Sequence, residues 1–206
     1  MKDLTLIVAD KNMHFALKGA LARPAALGIR PISVEFSVHP SRDGGMRTTG
    51  PELLALKRRT ARYGLLVLDR EGCGVEKDDA DGLETELMER MKPVWGTAAA
   101  ALVIEPEVDI WMWGTDNALK TVLGWDHTPS IREWITTKGY ILDANGKPVR
   151  PKEALEAVLR ELGVPRSAAL YEELASKLSL KRCADPAFVR LRTILHKWFS
   201  TSGESD

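Results

Sequence analysis

The chain has 206 residues, 44% of them hydrophobic and 28% charged, which suits one compact domain with a small appendage and excludes wholesale disorder or a fibrous repeat. Twenty-nine basic residues balance twenty-nine acidic ones, so a strongly basic nucleic-acid coat is excluded and a local basic patch is not. Cys73 and Cys183 are the only cysteines; they are too few for a disulfide scaffold and lack zinc-site spacing.

The apolar run 4–9 reads as a buried strand, ended by Asp10 and Lys11. It is too short for a signal peptide or a membrane span, so a reduced, cytoplasmic protein without membrane contact is expected. Residues 12–26 carry helical spacing with Pro24 near the end, and 32–38 alternate as a half-buried strand. The segment 39–51, with three glycines and two prolines, reads as a long loop. A basic helix is expected over 52–63, with Lys57, Arg58, Arg59 and Arg62, and a buried strand over 65–68. A polar loop over 69–77, an acidic helix over 78–91 and a fourth strand over 98–104 complete the first half.

From 107 onward only helices are expected: 108–113, 117–123, 130–137, 151–162, 168–177 and 185–199. The cluster Asp143-Ala-Asn-Gly-Lys-Pro reads as a turn or linker, and 200–206 as a flexible tail. The expected organisation is an α/β domain over 1–106, with a mostly parallel sheet of about four strands, and a helical extension over 107–199 packed on it.

Ligands of open α/β sheets gather outside the carboxyl ends of the strands. There this sequence places Asp10 and Lys11 after the first strand, Asp69, Arg70 and Glu71 after the third, and Glu105 and Glu107 after the fourth. Crowded carboxylates repel one another unless a cation neutralises them. A hard ion such as Mg²⁺ or Mn²⁺ uses a few carboxylates and keeps waters for substrate phosphates. A solvated strand end or a helix cap accounts for any single one of these acids.

Leu66-Val67-Leu68-Asp69-Arg70-Glu71-Gly72, after a first strand ending in an acid, resembles the Toprim-type fold of topoisomerases, primases and certain nucleases. The stretch Val103-Ile104-Glu105-Pro106-Glu107-Val108-Asp109-Ile110-Trp111-Met112-Trp113, with Asp116 after it, is similar to small Toprim-like proteins of anti-phage systems. So are Arg150-Pro151-Lys152-Glu153-Ala154 and Asp185-Pro186-Ala187-Phe188-Val189-Arg190-Leu191-Arg192. The pattern looks most like the Toprim-like subunit of methylation-associated defence systems.

The resemblance implies a Toprim-like sheet and a divalent-metal site, Mg²⁺ or Mn²⁺, at Asp10, Asp69 and Glu71, with Glu107 assisting. Those three acids would be catalytic in phosphodiester cleavage of DNA or RNA. Lys11, Arg70, Lys152 and Arg190 would bind nucleic acid or phosphate, and other defence-system proteins would be partners. The chain departs from the pattern in two places: Asp10 stands where the family has Glu, and Asp69-Arg70-Glu71 where it usually has Asp-x-Asp. A non-catalytic, protein-binding subunit is the alternative, favoured by the balanced charge.

Five tryptophans fall between 95 and 134 and read as core linking the sheet to the helices, with base stacking as the alternative. Trp111 and Trp113 cannot share one helix face, so one of them is expected to be exposed. Lys152, in a first helical turn where the dipole disfavours a cation, points to an anionic ligand or a carboxylate partner.

Overall fold

The computed structural model describes residues 1–74, 79–114 and 116–200. Four strands form one all-parallel sheet in the order β2-β1-β3-β4. They are β1 (Lys2–Val8), β2 (Val34–Val38), β3 (Ala61–Asp69) and β4 (Ala99–Ile104). The central strands β1 and β3 are continuous apolar runs because both faces are covered. Helices α1 (Lys11–Leu21), α2 (Pro24–Leu27), α3 (Arg42–Ala55) and α4 (Ala80–Trp95) fill the crossovers.

The rest is mainly helical: α5 (Asp109–Met112), α6 (Asp116–Leu123), α7 (Ile131–Thr137), α8 (Pro151–Leu162), α9 (Ala168–Lys177) and α10 (Pro186–Phe199). Among the described residues this half adds no strand to the sheet, only isolated bridges such as Leu142 with Pro148. That bridge closes the expected turn, where Asp143 Oδ1 accepts from the Asn145 and Lys147 amides. No described helix is long and apolar enough to cross a membrane. The expected flexible tail beyond Ser200 lies outside the described residues, as do positions 75–78 of the expected loop and acidic helix.

The expected loop over 39–51 is largely helix: α3 starts at Arg42 and runs to Ala55. Its glycines serve tertiary packing. A Cβ on Gly45 would fall 2.3 Å from the His39 ring, and one on Gly50 would touch Leu66 of β3. Pro51, inside the helix, has no N–H for the Arg47 carbonyl. Arg90 of α4 supplies the missing donors, reaching Arg47 O at 2.5 Å and Thr48 O at 2.7 Å. The basic helix over 52–63 is corrected with it, because the chain turns after Ala55 and enters β3 at Ala61. Lys57 pairs with Glu35 at 2.5 Å, and Arg58 and Arg62 lie over the Trp95 and Tyr63 rings.

The second half packs onto the first mainly through α9 against α1. A Cβ on Gly19 of α1 would fall 2.4 Å from the Glu172 carbonyl, so only glycine permits this approach. Trp95, Trp111, Trp113 and Trp125 are buried, as a core reading requires. Neither Trp111 nor Trp113 is exposed, contrary to the expectation from spacing. The helix here is a single short turn enclosed on both sides: Trp111 Nε1 donates to Asp185 and Trp113 Nε1 to the Pro151 carbonyl.

Candidate functional site

Because β1 and β3 are neighbours, Asp10 and Asp69 leave adjacent strand ends at the carboxyl edge. Asp10 is the N-cap of α1, its Oδ1 accepting from the Met13 amide at 2.9 Å. Asp69 is buried, and its Oδ1 accepts from the Val108 amide at 2.9 Å. The loop after β4 is thereby tied over the end of β3. Among the described residues no other hydrogen bond to either carboxylate occurs, so each has an oxygen with no donor among them.

Asp43, in the first turn of α3, joins them unpredicted: its Oδ1 accepts from the Asp69 amide at 2.8 Å. Burial pushes the Asp69 carboxyl well above its usual range, and the charges of Asp43, Asp109, Asp10 and Glu107 push it further. Burial likewise raises Asp43, with Asp10 adding to the rise against the Asp69 amide bond.

Glu71 is exposed. Its amide donates to the Pro106 carbonyl, and its charge acts on Glu107 and Arg150. Glu107 is buried, and burial followed by Asp109 and Glu71 raises its carboxyl to about 7, against the opposing pull of Lys152. Lys152 Nζ lies 3.8 Å from Glu107, which supplies the carboxylate partner its place in a first helical turn called for.

The expected phosphate-binding cations are dispersed. Lys11 is exposed beside a cleft of about 450 Å3, lined also by Asp10, Asn12, His39 and Arg42. Arg70 pairs with Glu105 at 2.9 Å. Arg190 lines a separate cleft of about 310 Å3 with Asp79, Asp81, Glu105 and Asp185. Its guanidinium is held by Glu84 at 3.0 Å and the Val103 carbonyl at 2.9 Å. Arg190 therefore neutralises a buried glutamate under β4 while still lining that cleft.

The donor set around Asp69 is all oxygen, which suits a hard cation and not zinc. Among the described residues no three acidic, His or Cys side chains stand in a metal-holding arrangement. In chemistry the residues fit Mg²⁺ or Mn²⁺; in number they fit only an ion held by one or two carboxylates and completed by water or phosphate oxygens.

Sequence reasoning missed Asp43, hidden in a glycine-rich segment read as loop, and Asp109. Asp109 is 2% exposed. It accepts from Tyr171 Oη at 2.5 Å and from Arg166 at 3.1 Å. No local signal marks that network, since its members are 57 and 62 positions apart.

Glu107 also sets a pH dependence. Its carboxyl sits at about 7 in the folded chain against 4.5 ordinarily. The folded state thus keeps a proton that the unfolded chain releases, and this stabilising contribution is lost as pH rises through that window. Glu107→Gln is expected to remove on the order of 1–2 kcal/mol of that loss. Urea melts of both proteins at about pH 5 and about pH 8 check this; parallel pH dependences would refute it.

Family models, curated proteins and solved structures were compared with the chain, and none matches.

Proposed function

We propose that this chain is a Toprim-like component of an anti-phage defence assembly, whose acidic edge takes a divalent cation for work on nucleic-acid phosphodiesters. The observation that carries this is Asp69: a buried carboxyl at the end of a central strand, next to Asp10 and Asp43, raised by its neighbours and without a basic partner among the described residues. A fold gains no stability from such a crowd of acids, and costly polar clusters of this kind belong to functional sites. The motifs around Asp69 and 103–113, which resemble the Toprim-like defence proteins, supply the rest.

When bound, Mg²⁺ or Mn²⁺ would neutralise charge on a phosphodiester. Asp10 and Asp69 offer their remaining oxygens, Asp43 orients the Asp69 backbone, and Lys11 and Arg42 give the adjoining cleft an electropositive rim for a phosphate. With two carboxylates at most, the site is incomplete in the isolated chain. A partner protein or the nucleic acid itself completes it.

The test pairs two assays. Purified chain with Mg²⁺ or Mn²⁺ on single- and double-stranded DNA and RNA is expected to cleave weakly or not at all. Cells carrying the full defence system with Asp69→Asn are expected to lose protection. Full protection by a folded Asp69→Asn protein would remove the acidic edge from function and leave the non-catalytic subunit as the account.

A further inference from the structure

The sheet has two edges, and the chain treats them differently. The bond from the Gly64 amide to the Ala98 carbonyl, and that from Arg70 to Ile104, turn the even-numbered residues of β4 toward β3. Val103 therefore faces outward. Its N–H donates to Glu84 at 2.8 Å, and its carbonyl accepts from Arg190 at 2.9 Å. Helix α10 runs beside this strand, so the β4 edge is capped in the manner that prevents strand addition.

Among the described residues the β2 edge has no such guard. The bonds from Leu4 to the Ser33 carbonyl at 3.2 Å and from His39 to the Val8 carbonyl at 2.8 Å turn the odd-numbered residues toward β1. Val34, Phe36 and Val38 consequently present N–H and C=O groups outward. Among the described residues none of these groups has a hydrogen-bond partner. The strand holds no Pro or Lys to blunt it, and Val38 is 40% exposed. Its one charge, Glu35, is already neutralised by Lys57.

The edge is also complementary to itself. An antiparallel copy centred on Phe36 sets Phe36 opposite Phe36 and Val34 opposite Val38. All three outward residues then become hydrogen-bonded pairs, with about six N–H to O=C bonds. On the opposite face Glu35 meets Ser37, so no like charges oppose one another. The Phe36 ring is already set, stacked on His14 at 4.4 Å.

We propose that β2 is an assembly edge on which a second copy of this chain adds its own β2 in antiparallel register, merging two four-stranded sheets across a twofold axis. A five-residue pairing is small beside the ~1,600 Å2 of a standard interface, so the dimer is weak, with a dissociation constant of about 10–100 μM.

Sedimentation velocity from about 1 μM to about 500 μM brackets that constant. Val38→Pro deletes an outward N–H without touching the ladder to β1, and Val38→Lys sets a cation on each copy at the interface. The wild type is expected to dimerise and both variants to weaken association at least about tenfold while melting as folded proteins. If a variant misfolds, amide exchange in the wild type decides: Val34, Phe36 and Val38 must become protected as concentration rises. A wild type that stays monomeric throughout, a dimer unchanged in both folded variants, or a dimer with those three amides unprotected would overturn the proposal. So would an edge filled only by a strand from another protein.

Discussion

Asp109→Ala is expected to lower the melting temperature by about 6–12 °C, corresponding to about 3 kcal/mol for a chain of this size. Among the described residues Asp109 is the only carboxylate of the crowded edge with a full set of donors: Arg166 reaches both its oxygens at 3.1 and 3.3 Å, and Tyr171 Oη lies 2.5 Å away. The network ties the segment after β4 to α9, which itself packs on α1. Burial raises the Asp109 carboxyl, and Tyr171 and Arg166 pull it back. Removing the acid leaves the buried Tyr171 O–H without its acceptor, while its oxygen keeps the bond from Arg166 Nε at 2.7 Å. Arg166 keeps Glu156 at 3.3 Å, which places the cost at the lower end of the range for a broken buried pair. Tyr171→Phe combined with Asp109→Ala should cost less than the sum of the two single changes. A fall below about 2 °C in a thermal melt of Asp109→Ala would show that the network carries little stability.

Asp69→Asn is expected to act in the opposite direction. The amide oxygen still accepts from the Val108 amide, and the charge opposed by Asp43, Asp109, Asp10 and Glu107 is gone. The folded carboxyl of the wild type is raised, so its favourable contribution exists below the ordinary aspartate range and is lost as pH rises through the folded value. The variant is therefore expected to match the wild type near about pH 4 and to be the more stable of the two near about pH 8. Stability gained by removing a carboxylate is the mark of a residue kept for something other than folding. A loss of stability at pH 8 instead would make Asp69 a structural acid, needed to hold Val108 over the end of β3.

Much of the architecture was legible because its signals are local. The apolar runs of β1, β3 and β4 are buried on both faces, and α8 and α9 span the residues that their spacing and their flanking Pro151 and Ser167 mark. Helix α3 was not legible. Its three glycines and Pro51 argue for a loop in isolation, and its stability comes from close packing on His39 and Leu66 and from Arg90. Asp43 was lost with it. Strand-end position singled out Asp10 and Asp69 as neighbours, since that inference needs only parallel order. For Glu71, two places beyond β3, strand-end position says less, because the residue already follows the loop, where its charge acts on Glu107 and Arg150. The pairing of Arg190 was hidden for a different reason: an arginine in a basic-looking motif carries no sequence sign of the buried Glu84 that it bonds.

On the proposed reading the crowded acids around Asp69 hold a cation. Calorimetric titration of Mn²⁺ into the purified chain at about pH 7.5, where these carboxyls can be ionised by the metal, tests it most directly. The account predicts a single weak site, with a dissociation constant below about 1 mM in the wild type, absent from folded Asp69→Asn. No binding heat in the wild type, or the same site in both proteins, would contradict it.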